Sequence, residues 1–321
     1  KSSRPVTTHW TNFVTLLTAP AAFGAMATYC AEWHWSIDLA ACFPVQFCTW
    51  LLVGSCALAL GRKWWRASVS AAFAALAAAA IAPDWLTTDN SPQVGESSPG
   101  IRVLSLNLLH NNIQGEKDLL RVVRTQAPDV IWCAEYTPTW QRFFHRELPD
   151  YGHRCERVNE GPFGVAMLAK QPMTNPEMID LGHSWTPACR ATIDLPPGTI
   201  AILGIHPPPP GLSRGRTAER NISLAAIPQA LSSLPKNTIV FGDFNATPWN
   251  AAFRRLRSEA RLSRGSTTSW LPTWPARLPA LLRVPIDHIL VRGDLAVHEA
   301  KLGPNFGSDH LPLLAIVRHG R

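Results

Sequence analysis

Three apolar stretches, roughly Phe13–Cys30, Leu39–Leu60 and Ala67–Leu86, fill most of the first quarter of this 321-residue chain, and Asp84 is the one charged residue inside them. Each is close to the ~20 residues a membrane-spanning helix needs. Pro20 and Pro44 fall within the stretches, a placement that lipid-embedded helices tolerate better than soluble ones. The connections are polarised. Lys1 and Arg4 precede the first stretch, Arg62, Lys63 and Arg66 join the second to the third, and Glu32, Asp38, Asp84, Asp89 and Glu96 fall at the alternate ends. The excess of basic residues in cytoplasmic loops then predicts a cytoplasmic N-terminus, three crossings, and everything after Leu86 outside the cytoplasm. Trp64, Trp65 and Trp85 suit an interfacial belt. Two other readings stay open. Ala25-Met26-Ala27 fits a signal-peptide cleavage site. The Ala-rich third stretch also suits a soluble helix, which would leave the remainder of the chain on the cytoplasmic side.

Charged residues make up 17% of the chain against 46% hydrophobic, and the net charge is +7. Scarce charge agrees with a part in lipid. The basic balance favours an anionic partner, either nucleic acid or a phospholipid surface. Seven cysteines with no Cys-x-x-Cys fix no disulfide framework, and pairing among Cys133, Cys155 and Cys189 is left open.

Beyond the first 86 residues the texture changes. Residues 87–99 are rich in Thr, Ser, Pro, Asp and Asn and read as a linker. Short apolar runs follow, and they predict strands at Ile101–Asn107, Val130–Glu135, Val165–Ala169, Ala191–Leu195, Ile200–His206, Thr238–Phe241, Ile286–Val291 and Leu313–Val317. Helices are expected at Lys117–Gln126 and, with a break near Pro228, at Arg216–Leu231. Many strands with few long helices between them point to an α/β layered sandwich with mixed sheets.

Two strings in this part carry chemistry. Gly242-Asp243-Phe244-Asn245 and Gly307-Ser308-Asp309-His310-Leu311-Pro312 each put an acid beside a second polar group at the edge of an apolar run. Strand ends deliver side chains into clefts. Two carboxylates, a carboxamide and an imidazole suit a hard metal ion and attack on a phosphate ester. Taken with Ser105-Leu106-Asn107, Glu135, Ile205-His206 and Ile286-Asp287-His288-Ile289, the six strings occur in the order found in the endonuclease/exonuclease/phosphatase superfamily, which residues 100–321 resemble.

The resemblance implies a four-layered sandwich of two packed mixed β-sheets flanked by helices, and phosphoester hydrolysis. It implies Glu135 as metal ligand, with Asn107 and Asp309 completing the metal environment directly or through water. Oxygen ligands without a Cys or His cluster favour Mg²⁺ or Mn²⁺ over Zn²⁺. Asp243 is expected to orient or deprotonate the attacking water, and Asn245 to donate to a phosphoryl oxygen. His310 would contact the phosphate or share the proton work, with Asp287 holding its tautomer, as an acid does in a triad. His206 matches a position near the leaving group. Arg190 resembles a basic position that binds phosphate, with a surface ion pair as the competing reading. Asp243 and Asn245 also suit a helix cap, and His288 a plain strand residue. Gly211-Leu212-Ser213-Arg214-Gly215 matches the serine-hydrolase pattern, but the prolines at 207–210 interrupt the strand-to-helix turn that pattern requires.

The N-terminal stretches, Pro248-Trp249 and Leu271-Pro272-Thr273-Trp274-Pro275 are similar to the membrane-bound subgroup associated with teicoplanin resistance, which implies action on a polyprenyl diphosphate. Trp270 and Trp274 either touch the membrane or the isoprenoid chain, or are core aromatics of a flap. A membrane-anchored phosphatase of lipid phosphates in the cell membrane, with its catalytic domain outside the cytoplasm, is therefore the expected function. A nuclease acting on DNA or RNA is the alternative, with Arg254, Arg255, Arg257, Arg261 and Arg264 as its basic run. A non-enzymatic binding module is a third, opposed by the complete set of site residues.

Overall fold

The computed structural model describes residues 4–86, 100–112, 114–183, 185–195, 198–264 and 270–320. The predicted linker at 87–99 lies outside them. The chain divides into two compact units, Lys1–Thr87 with Pro248–Ala251, and Thr88–Thr247 with Ala252–Arg321.

The first unit is helical. It holds α1 (Arg4–Ala27), α2 (Trp35–Ala40), α3 (Pro44–Leu60) and α4 (Trp64–Leu86). Three spans are not supported. Among the described residues one helix, α4 over Trp64–Pro83, is long and apolar enough to cross a membrane. The predicted stretch Leu39–Leu60 is split, because α2 stops at Ala40 and Pro44 opens α3. Proline suits a first helical turn, where its missing N–H is not needed. That leaves α3 with 17 residues. α1 carries Thr11, Asn12, Thr15 and Thr18, and the hydroxyls of Thr15 and Thr18 donate back to carbonyls of their own helix. The helices pack through small residues: Ala21, Ala25, Ala74 and Ala77 surround Leu51. Asp38 is buried in this unit. Its Oδ1 accepts from Ala251 N at 3.0 Å and its carbonyl accepts from Asn250 Nδ2 at 2.7 Å.

The second unit is built on β1 (Gly100–Asn107), α5 (Glu116–Gln126), β2 (Val130–Ala134), α6 (Pro138–Glu147), β3 (His153–Arg157), β4 (Val165–Ala169), β5 (Thr174–Asp180), β6 (Pro187–Leu195), β7 (Gly198–Ile205), α7 (Arg214–Leu231), β8 (Thr238–Asp243), α8 (Ala251–Glu259), β9 (Asp287–Arg292), β10 (Leu295–Leu302) and β11 (Leu313–His319). The described strands form a six-stranded sheet, β10-β11-β1-β2-β4-β3, and a five-stranded sheet, β5-β6-β7-β8-β9. Both are mixed: β1–β2 and β7–β8 are parallel, and the other pairs are antiparallel.

Period-two alternation explains the layering. Val103, Val130, Trp132, Ile202, Ile239 and Phe241 face the core between the sheets. Their chain neighbours Leu104, Ile131 and Cys133 face α5 and α6. On the other side, Leu203, Val240 and Leu290 face α7 and α8. Strands buried on both faces read as continuous apolar runs, which is why they were visible in the sequence. β3, β5 and β10 were not predicted. Their exposed or half-buried residues break the apolar pattern. The expected break near Pro228 does not occur either, and α7 continues to Leu231. Cys133, Cys155 and Cys189 are buried free thiols.

Trp132 fits between the sheets because two glycines make room. A Cβ on Gly204 would collide with its ring, and a Cβ on Gly242 would lie 2.9 Å from its Nε1 and collide with the Ile205 carbonyl. The indole N–H donates to that same carbonyl at 3.1 Å. Gly242 also has φ of +142°, which side chains rarely adopt. The glycine that opens the Gly-Asp-Phe-Asn string thus seats the strand bearing Asp243 against the opposite sheet.

Candidate active site

Parallel pairing puts the chemistry on one rim. In β1–β2 the last register pair is Asn107↔Ala134, so Glu135 follows directly beside Asn107. In β7–β8 it is Ile205↔Gly242, so His206 and Asp243 emerge together. β9 runs the other way and pairs Asp287 with Asp243. The loop before β11 brings Ser308, Asp309 and His310 to the same end. Ser308 Oγ donates to the Asn107 carbonyl at 2.7 Å and accepts from His310 N at 3.1 Å.

Asp243 Oδ2 is the hub. It accepts from Asn107 Nδ2 at 3.2 Å and faces His310 Nε2 at 3.7 Å and His206 Nε2 at 3.8 Å. Asn245 N donates to the other oxygen at 2.8 Å. His310 Nδ1–H donates to Asp287 Oδ2 at 2.8 Å, which leaves Nε2 turned toward Asp243. Asn107 Nδ2 also reaches Glu135 Oε1 at 3.1 Å. Three residues around this rim without glycine's freedom have left-handed backbones: Leu109, Glu135 and Asn245, with φ of +58°, +59° and +49°. Such strain persists where the surroundings over-determine it. For Asn245 the determinants are visible. Its Nδ2 donates to the Pro207 carbonyl at 3.0 Å, and its own carbonyl accepts from the buried Arg220 at 3.3 Å.

Burial pushes the Asp243 carboxyl up to about 7, with Asp287 adding to the rise and His310 opposing it. Burial alone would lower His310, but Asp287 and Asp243 outweigh it and raise the imidazole to about 10. Burial lowers His206. It pushes Glu135 up, yet the charge of His206 and hydrogen bonds from His110 and Asn107 hold that carboxyl below its ordinary value.

Asp243, Asp287 and His310 bring one ligand atom each within 4.8 Å of one another. Within this trio, the His310–Asp287 hydrogen bond already engages one atom of each of those two residues. Glu135, Asn107 and Asp309 are further oxygen-bearing residues at this rim that could hold a cation. Asp309 Oδ2 accepts from Trp274 Nε1 at 3.2 Å, while its Oδ1 is buried without a partner. An orphaned buried carboxylate oxygen calls for a cation or donor. Side-chain oxygens of this kind would suit a hard divalent cation.

The family follows from this arrangement together with the match of residues 104–310 to the Endonuclease/Exonuclease/phosphatase family. The chain belongs to the endonuclease/exonuclease/phosphatase family. Members of the family are metal-dependent and hydrolyse phosphate ester bonds, and this chain is a hydrolase of that kind. An endonuclease/exonuclease/phosphatase from Beutenbergia cavernae DSM 12333 has a similar structure, with a TM-score of 0.56 and 18% identity over 69% of this chain and 72% of that one. TDP2 of D. rerio, complexed with single strand DNA product, matches with a TM-score of 0.57 and 17% identity over 68% of this chain and 99% of that one. Sphingomyelinase C from Streptomyces griseocarneus matches with a TM-score of 0.54 and 15% identity over 68% and 99%. At these identities the likeness is one of fold. A comparison with curated proteins finds no match.

Arg190 is not brought to the family's site. Cys189 and Ala191 face the core between the sheets, so Arg190 faces the outer layer. There it pairs with Glu177 at 2.7 Å and donates to the Ala230 carbonyl and to Ser233 Oγ, beside the end of α7 remote from the rim. Ser213, centre of the serine-hydrolase pattern, caps α7 by accepting from Arg216 N at 3.3 Å. Sequence reasoning passed over His110, whose N and Nδ1 both reach Glu135 Oε2, at 2.9 and 2.7 Å. Its only signal was a histidine three residues past Asn107. Arg220 and the bond from Trp274 to Asp309 had no signal in the string, because both depend on long-range packing.

His288 turns inward. Its Nε2–H donates to the Ala246 carbonyl at 2.9 Å, its ring lies 4.4 Å from that of Phe253, and burial holds it well below the usual histidine range. The folded ring stays neutral, so below about pH 6.5 the unfolded chain binds more protons than the folded one. The stability it contributes is present above that value and declines as pH falls beneath it. His288→Gln, which has no titrating ring, should lose less stability between pH 7.5 and 5.5 than the parent. Equal losses in urea midpoints across that interval would refute this.

Proposed function

We propose that the protein is a membrane-anchored, metal-dependent phosphohydrolase whose catalytic unit acts outside the cytoplasm on a lipid phosphate or polyprenyl diphosphate. The observation that carries this reading is the joining of a phosphoesterase rim to a helical unit with an apolar exterior. Among the described residues, fifteen of the 21 large hydrophobic side chains left exposed lie between Trp10 and Trp65. Soluble surfaces do not present apolar side chains at that density. α4 is the crossing segment, with Arg62, Lys63 and Arg66 on its cytoplasmic side. A lipid substrate then meets the site at high local concentration. The similarity to the teicoplanin-resistance subgroup supports a polyprenyl diphosphate.

Glu135, with Asn107 and Asp309, would hold Mg²⁺ or Mn²⁺. That ion, when bound, supplies positive charge to the phosphoryl oxygens. Asp243 orients the attacking water and takes its proton. His310, oriented and kept protonated by Asp287, donates from Nε2–H to the phosphate. Asn245 donates to a phosphoryl oxygen, and His206 lines the leaving-group side. Glu135→Gln is expected to weaken Mg²⁺ binding by about tenfold or more, read directly by calorimetry. Unchanged binding would remove Glu135 from the ligand set.

The test of function is a substrate panel. Purified protein with Mg²⁺ should release phosphate from a polyprenyl diphosphate in detergent. Robust cleavage of plasmid DNA, with no phosphate from lipid, would favour the second reading, a nuclease. The exposed Arg254 and Arg255 on α8 and the DNA product bound by the similar TDP2 support that alternative.

A further inference from the structure

We propose that a groove on the helical unit, between α1 and α4 and floored by α3, holds the acyl chain of an anionic glycerophospholipid whose phosphate rests on Arg66. The inference rests on the membrane reading above but not on the catalytic one. The groove measures roughly 710 Å³, within the ~300–1,000 Å³ typical of ligand pockets. Its floor is Leu51 and Leu58, and its walls include Leu16, Phe23 and Phe73. Leu16 and Phe23 are 70% and 61% exposed, so the groove opens outward along α1.

Charge selects the occupant. Arg66 lines the groove beside Trp65. Its Nη1 donates to Asn12 Oδ1 at 2.6 Å and to Thr15 Oγ1 at 3.3 Å, both neutral. Among the described residues Arg66 makes no ion pair. A guanidinium has five donors in a planar fork suited to phosphate, so donors remain for a ligand. Arg62 and Lys63 sit one turn earlier, while Glu32 and Asp38 belong to the opposite end of the unit, past α1 and before α3. An apolar groove with a cation among its lining residues and, among the described residues, no acid lining it matches an anionic headgroup with its chain. It matches a zwitterionic lipid less well, because choline places a second cation against Arg62 and Lys63.

The experiment reconstitutes the full chain into vesicles of equal parts dioleoyl-phosphatidylglycerol and dioleoyl-phosphatidylcholine. Vesicles are floated on a density gradient, and protein extracted in mild detergent is weighed by native mass spectrometry. The chain should float and retain phosphatidylglycerol about 5–10-fold over phosphatidylcholine, the ratio expected for one basic group at an anionic surface. Arg66→Ala should bring the ratio near one, and Arg66→Lys should keep a preference. Val69→Trp, which fills the groove, should reduce retention of both lipids. Flotation with equal retention of the two lipids, or an unchanged ratio in Arg66→Ala, would overturn this proposal alone. A chain that does not float would overturn the membrane reading and this proposal with it.

Discussion

Asp243→Ala is expected to slow phosphate release by about a thousandfold, within the ~10²–10⁴ range attributed to general acid–base groups. The size follows from position. One oxygen of this carboxylate faces Asn107, His206 and His310 within 3.8 Å. On the proposed mechanism, its removal takes away the proton acceptor of the attacking water, and two imidazoles lose the carboxylate they face. Folding should survive. Burial already raises this carboxyl to about 7, so its charge is held at a penalty, and residues of that kind are often replaced with unchanged or higher stability. Phosphate release and thermal melting on the same preparation decide the matter. Activity within tenfold of the parent, with metal binding intact, would show that Asp243 is not the proton acceptor.

The second large effect concerns a residue with no side chain. Gly242→Ala should destabilise the fold by about 3 kcal/mol or more, because the new methyl group enters a packed core and meets main chain. It would collide with the Ile205 carbonyl and crowd the Trp132 indole, at a φ of +142° that alanine avoids. Any relief would move β8, and with it Asp243. Gly198→Ala is the control, since a Cβ there has nothing within 4 Å. A denaturation midpoint for Gly242→Ala equal to that of Gly198→Ala would contradict the packing argument.

Much of the catalytic unit was legible because its strands are buried on both faces. Val130–Ala134 and Val165–Ala169 are continuous apolar runs, and their ends name the rim on which the acids fall. The edge elements were not legible. β5 is mostly exposed, and nothing in Thr174–Asp180 demands an extended strand until β6 pairs with it. At the site, Asn107, Glu135, Asp243, Asp287 and His310 could be named from strings at strand ends. Their supports could not, since Arg220 reaches Asn245 and Trp274 reaches Asp309 across long stretches of chain. Arg190 shows the opposite failure. Its place beside a strand resembled a phosphate binder, but strand parity points it to the outer layer, where Glu177 lies within reach.

The N-terminal region divides in the same way. Local composition made it apolar, and that was plain from the residues alone. Whether an apolar stretch becomes one helix long enough to cross a bilayer depends on where the helix starts and stops, and Pro44 cut the second stretch to 17 residues. Hydrophobic pattern and motif order are local properties, so the family and the strands buried on both faces could be read along the chain. Side-chain direction, the glycine space for Trp132, the hub at Asp243 and the cation beside an apolar groove arise from contacts between residues distant in sequence, which exist only once the chain is packed.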